Sequence, residues 1–195
     1  DLCASRGLGD VYKRQLLTIE DSSVVQEVFL LDLKQGSLKP IGRTSNVPKD
    51  RLHKMVSKKF TTRDGESIYG YLTKPKGKVE RLIVYIHGGP YGIRDFDSYD
   101  FSEQYLASKG AAVLKVNYRG SGGYGTNFME DAYKEWGGRL LNDIADATQA
   151  VQKELGIGRE KTCAFGASYG GYAALAMAYK SVSYTHLRAH ETHTN

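Results

Sequence analysis

Three features of the 195-residue sequence predict an α/β fold built on a parallel sheet. From Arg81 onward, short apolar runs (LIVYI, AAVLKV, TCAF) alternate with helical patterns. Each run is followed by glycine or small residues, as strands are when they hand over to a turn. The longest helical pattern carries one apolar face, Leu140, Ile144, Ala147, Val151 and Leu155, and stops at Gly156.

The two ends are set aside first. Codons can be written for Ser5 to Gln15 whose complementary strand, read one frame over, encodes Val182 to Thr192, so eleven residues at one end are the antisense reading of eleven at the other. Folding has no reason to produce such a match. The DNA looks like a transposase-type sequencing adapter, and residues 1–15 and 182–195 are read as translated adapter rather than native chain. His186, His190 and His193 fall in that tail. HETH lacks the HExxH spacing of a zinc site, and no metal is expected.

Residues 16–50 read as the end of one unit plus a connector. EVFLLDL, KQGS and LKPIG give strand, glycine turn and strand, a pairing too small to stand alone and expected to belong to a larger sheet. NVPKDRLHK, residues 46–54, reads as a polar connector with His53 solvated. Residues 51–181 read as a second unit. VSKKFTT and SIYGYLT flank an Asp-Gly turn and predict a hairpin. Phe101 to Lys109 predicts a helix with Gly110 just past its end.

Composition excludes several functions. The net charge is +5, with 27 basic residues scattered among 22 acidic ones, so no basic stripe for nucleic acid is present. No apolar stretch is long enough for a membrane-spanning helix. With Cys3 in the excluded end, Cys163 stands alone in TCAF and reads as a small core residue.

Chemistry concentrates in KTCAFGASYGGYAALAMAY, which fits strand, tight turn and helix with Ser168 at the turn. In that geometry the serine takes a strained backbone conformation, and Gly166 and Gly170 are bare because strand and helix approach closely. The hydroxyl stands clear of the sheet, and the first free amide of the helix, that of Tyr169, suits an oxyanion. About eighty residues upstream, His87-Gly88-Gly89-Pro90 ends the strand LIVYI. Gly89 is the candidate second oxyanion donor. One such donor is worth roughly 2.7–4 kcal/mol in the transition state.

HGGPYG, NYRGSGGYG, EWGG and GASYGGYAAL, in this order and spacing, resemble the catalytic domain of the prolyl oligopeptidase family of serine peptidases, nearest its acylaminoacyl-peptidase and dipeptidyl-peptidase branch. The resemblance spans roughly Val56 to Lys180. It implies an α/β-hydrolase fold, cut after the nucleophile helix and preceded by the remnant of a β-propeller blade at 16–42. It also implies Ser168 as nucleophile, the amides of Tyr169 and of the HGGP turn as oxyanion hole, a peptide substrate and no cofactor. His87 precedes the nucleophile, against the serine–acid–histidine order of this fold, so it is expected to shape the turn rather than act as base. Asp143 and Asp146 fail on the same ground and read as solvated or capping carboxylates. Arg119 admits either a structural ion pair or substrate contact. Tyr124, in the same loop, and Tyr91 are candidate pocket residues, an exposed loop aromatic being the alternative for Tyr91.

Two expectations follow from the missing downstream acid and histidine. The chain itself should hydrolyse negligibly, since a serine without a base is a weak nucleophile. Lys161 to Phe165 should form an unpaired apolar edge that favours aggregation. Two other functions share these residues: a carboxylesterase, and a non-catalytic relative used for binding.

Overall fold

The structure, a computed structural model, describes residues 5–6, 13–180 and 186–190. The rest of the adapter-like ends, with Cys3 and His193, lie outside the described residues. Two sheets are formed. The first runs in the order β1 (Ser5–Arg6), β2 (Arg14–Asp21), β3 (Val24–Asp32), β4 (Ser37–Arg43), all antiparallel. The turn read from KQGS joins β3 to β4, with Gly36 at φ +61° and the Asp32 carboxylate accepting the N–H groups of Lys34 and Gln35 at 3.0 Å each.

The second sheet contains β5 (Met55–Thr61), β6 (Ser67–Thr73), β7 (Arg81–Ile86), β8 (Ala111–Asn117), β9 (Thr162–Ala167) and β10 (His186–His190), in the order β10-β9-β7-β8-β6-β5. β5 and β6 form the expected hairpin around Gly65, whose φ is +85°. β7, β8 and β9 are parallel, as the alternation of runs and helices predicts, and β10 also runs parallel to β9. β9 is therefore not an open edge. Residues 186–190 pair along its outer side from His186 opposite Cys163 to His190 opposite Ala167, which corrects the unpaired edge expected at Lys161–Phe165. A parallel ladder is made by backbone groups, so sequence origin does not prevent it.

Four helices flank this sheet: α1 (Phe101–Ser108), the short α2 (Thr126–Glu130), α3 (Arg139–Leu155) and α4 (Tyr169–Lys180). The apolar face of α3 read from the sequence is where the core sits. Leu140, Ile144, Ala147 and Val151 are fully buried against Leu82, Val84, Leu114, Val116 and Ala164 of the strands and Ala173, Ala174 and Met177 of α4. Gly156 closes α3 in the left-handed conformation, φ +62°. α1 lies on the other face, where Lys115 of β8 is buried between Glu103 (2.7 Å) and Asp100 (3.2 Å). Asp100 also caps α1, accepting the Glu103 N–H at 3.0 Å.

The β2–β3 turn docks onto the second sheet through Ser22, which is 1% exposed. Its N–H donates to Asp97 (2.9 Å), its hydroxyl accepts from the Met55 N–H (2.9 Å), and its carbonyl accepts from the Gln104 amide (2.9 Å). Gln104 also binds both the N–H and the carbonyl of His53. His53 is accordingly 7% exposed rather than solvated, and Leu52 beside it is 5% exposed. The connector is anchored where its polarity predicts a free loop, because the side-chain amide of Gln104 satisfies its backbone inside the protein.

Candidate active site

The C-terminal ends of β7, β8 and β9 meet at one place, the usual location of a ligand site in a parallel sheet. β9 ends at Ala167 and α4 begins at Tyr169, which leaves Ser168 alone in the turn. Its φ is +55°, a left-handed value that is strained for a serine, and its side chain is exposed. The two flanking glycines are required by contact. A Cβ on Gly166 would stand 2.6 Å from the carbonyl carbon of Gly170 and 2.7 Å from the Ile86 oxygen. A Cβ on Gly170 would collide with the same Ile86 oxygen.

The loop after β7 packs directly against this turn. A Cβ on Gly88 would lie 3.4 Å from the Ala167 oxygen and 3.5 Å from the Ser168 Cβ. Gly89 has φ +118°, available only to glycine, and is joined to Pro90 by a cis peptide bond. Among the described residues the Gly89 N–H donates to no backbone carbonyl. The Tyr169 N–H opens α4 and has no intrahelical acceptor. An exposed hydroxyl beside two uncommitted amides can attack a carbonyl and cradle the resulting oxyanion.

His87 lies behind this loop. Its ring stacks on Tyr118 with centroids 4.3 Å apart, Nδ1 meets the Gly88 carbonyl at 2.8 Å, and Nε2 meets the Ser121 hydroxyl at 3.0 Å. Both ring nitrogens are thus engaged with groups other than Ser168. Burial pushes its pKa below the usual imidazole value, which favours the neutral ring.

Tyr91 is half-buried, its hydroxyl donating to the Ala132 carbonyl (3.3 Å) and accepting from the Trp136 indole (2.8 Å). Trp136 in turn sits edge-on to Tyr169 at 5.6 Å and accepts the Tyr169 hydroxyl on its carbonyl at 2.9 Å. An aromatic cluster therefore flanks Ser168. Tyr124 stacks on Tyr69 (5.4 Å, 2°) and its hydroxyl accepts from Asn117 (3.0 Å), which ties it into the sheet.

Arg119 is buried in an ion-pair network. It is 3% exposed, and its backbone N–H, Nε and Nη2 donate to Asp143 at 2.9, 2.9 and 2.6 Å, while Nη1 and Nη2 donate to Asp64 at 2.6 and 3.2 Å. Of the two readings the sequence leaves open, this is the ion pair. Asp143 is 0% exposed, which corrects its reading as a solvated or capping carboxylate. Asp146 pairs with Arg63 at 2.7 Å on the surface. Tyr118, Ser121, Trp136 and Asp64 escape the sequence reading, although the first three lie within or beside motifs it singles out. Their position just past the ends of parallel strands, or in loops beside them, was the available signal. Among the described residues no cluster of three metal-ligating side chains is present, and no helix is long and apolar enough to cross a membrane.

A sequence model of the prolyl oligopeptidase family (Peptidase_S9) matches residues 97–191, which take in α1, β8, the Tyr118–Ser121 loop and the Ser168 turn. That segment, just under half of the chain, is similar to the prolyl oligopeptidase family. Similar curated members of this family include the dipeptidyl aminopeptidase BIII of Pseudoxanthomonas mexicana, 37% identical over 126 residues that make up 60% of this chain and 18% of that protein. The acylamino-acid-releasing enzyme of Arabidopsis thaliana is 37% identical over 113 residues, 55% of this chain and 14% of that one. The chain thus spans less than a fifth of the length of either. Among solved structures, a puromycin hydrolase superposes with a TM-score of 0.79 at 27% identity, over 94% of this chain and 29% of that one. The Pyrococcus horikoshii acylaminoacyl peptidase superposes at 0.78 and 25%, over 90% and 29%. The chain accordingly has part of the α/β-hydrolase fold, alongside a separate four-stranded antiparallel sheet.

Proposed function

We propose that the full-length parent of this chain is a serine peptidase that cleaves short peptides through an acyl-enzyme on Ser168. The Ser168 hydroxyl attacks the scissile carbonyl and gives up its proton to a histidine supplied by the parent. The amides of Tyr169 and Gly89 stabilise the tetrahedral oxyanion, and the amine leaves with the proton. Water then resolves the ester by the same route in reverse. The single observation that carries this reading is the exposed, left-handed Ser168 set beside two uncommitted N–H groups. The names of the relatives, a dipeptidyl aminopeptidase and an acylamino-acid-releasing enzyme among them, support a peptide rather than a simple ester as substrate. The 195-residue chain by itself should turn over negligibly, because His87, in the loop packed against the turn, is held by Gly88 and Ser121.

The test is Ser168→Ala in the parent, assayed on dipeptide and acyl-amino-acid amides and on matched esters. Loss of roughly a millionfold in kcat is expected. Retained peptide hydrolysis would refute the role of Ser168. Ester-only turnover in the unaltered parent would favour an esterase, and no turnover on either class a binding protein.

A further inference from the structure

We infer that Tyr118, His87 and Ser121 form a positioning frame that fixes the direction of the Gly89 N–H, and hence of the oxyanion donor, from behind the loop. The inference rests on the peptidase reading above and names what makes that site work. The peptide unit between Gly88 and Gly89 is trans, the only cis bond of the loop being the next one. In a trans unit the carbonyl and the N–H point in opposite directions. Whatever holds the Gly88 oxygen therefore also aims the Gly89 hydrogen.

The Gly88 oxygen is held from one side only. His87 Nδ1 lies 2.8 Å from it, and the Tyr118 hydroxyl 3.3 Å from it and 2.9 Å from the His87 carbonyl. Gly88 meanwhile presents its Cα to Ser168. With the oxygen turned toward His87 and Tyr118, the Gly89 N–H is turned away from them, and it meets no backbone acceptor there.

The loop needs such a frame because its own chemistry does not supply one. A peptide unit flanked by two glycines meets little steric resistance to rotation, and Gly89 already sits at φ +118°. The imidazole is in turn fixed on three sides: stacked on the Tyr118 ring, bonded to Gly88, and met at Nε2 by Ser121. Ser121 is 0% exposed and its hydroxyl also reaches the Tyr118 carbonyl at 2.7 Å. That hydroxyl donates its proton to the Tyr118 carbonyl, which fixes Ser121 Oγ against Nε2 and so keeps Nδ1 facing the Gly88 oxygen. Ser121 thereby holds the ring in the orientation that braces the loop. None of the three side chains needs to touch substrate.

The experiment uses the full-length parent with Tyr118→Phe, which keeps the stacked ring and removes only the hydroxyl, and Ser121→Ala, which removes the partner of Nε2. Three quantities are read: kcat and KM on a peptide amide, the affinity of a peptide boronic acid whose adduct mimics the tetrahedral oxyanion, and the affinity of the cleaved product peptide. Loss of one complete oxyanion donor costs about 100- to 1000-fold in kcat. Misalignment of one is expected to lower kcat by about 10- to 100-fold in each variant, to weaken the boronic acid by a similar factor, and to leave KM and product affinity within about twofold. A kcat and boronic acid affinity within twofold of the unaltered parent in both variants overturns the frame. So does a loss shared equally by boronic acid and product. If Ser121→Ala lowers the melting temperature too far to assay, Tyr118→Phe decides alone. Failure of the peptidase reading is separable, since Ser168→Ala would then leave hydrolysis intact whatever the frame variants do.

Discussion

Arg119 offers a stability experiment in which a single guanidinium provides its own control. Its two carboxylate partners differ in solvation: the Asp143 side chain is 0% exposed and that of Asp64 is 43% exposed. Replacing Asp143 by alanine leaves the guanidinium, whose side chain is 4% exposed, without its buried counter-charge and strips an acceptor from the Arg119 N–H as well. Breaking a buried pair on one side costs about 3–5 kcal/mol. The Asp64 pair is screened by water, and Asp64→Ala should cost no more than about 1 kcal/mol. At roughly 2–4 °C per kcal/mol for a domain of this size, Asp143→Ala should lower the melting temperature by about 10 °C, and Asp64→Ala by a few degrees at most. Urea unfolding of the chain followed by far-ultraviolet circular dichroism reads the difference. Replacing both buried partners, Arg119→Met with Asp143→Leu, should recover most of the loss, because no unpaired charge remains inside. Equal effects of Asp143→Ala and Asp64→Ala, or a double variant worse than Asp143→Ala alone, would refute the reasoning.

Two further predictions concern the turn and the opposite face of the sheet. Gly170→Ala forces a methyl against the Ile86 carbonyl, a backbone atom that cannot move aside, and should destabilise the chain by about 1–3 kcal/mol. Thermal unfolding checks it, and an unchanged melting temperature would contradict the close approach. Burial pushes the Asp95 carboxyl up to about 6, and its Oδ2 has no partner. Since the folded pKa lies above the ordinary 3.8, the associated stability is fully present below about pH 4 and is lost as pH rises through about 6. Asp95→Asn stays neutral throughout, so its stability relative to the unaltered chain should rise by on the order of 2–3 kcal/mol between pH 4 and 7, as unfolding curves across that range would reveal. Parallel pH profiles would contradict it.

How far the sequence led depended on whether a feature was local. The Ser168 turn was legible because its demands fall on neighbours two positions away, Gly166 and Gly170. The face of α3 and its stop at Gly156 were legible from period and cap. His53 and Asp143 were misread because their environments come from residues far along the chain. Gln104 reaches His53 from 51 positions away, and Arg119 reaches Asp143 from 24. A polar residue in a polar stretch reads as solvated unless its partner is known. Likewise the short α2, five residues without a buried side chain, carries no apolar period to find. The open edge at β9 was misjudged because pairing there uses only main-chain groups, which composition does not reveal.

Ser22 has one further implication. Its amide, hydroxyl and carbonyl reach three different elements, the loop before α1 at Asp97, β5 at Met55 and α1 at Gln104, so the tip of the β2–β3 turn can act as a pivot. Lateral slip of one sheet past the other would break three bonds together, whereas a swing about that point strains them only slightly. A swing of the first sheet about Ser22 would thus leave all three bonds in place.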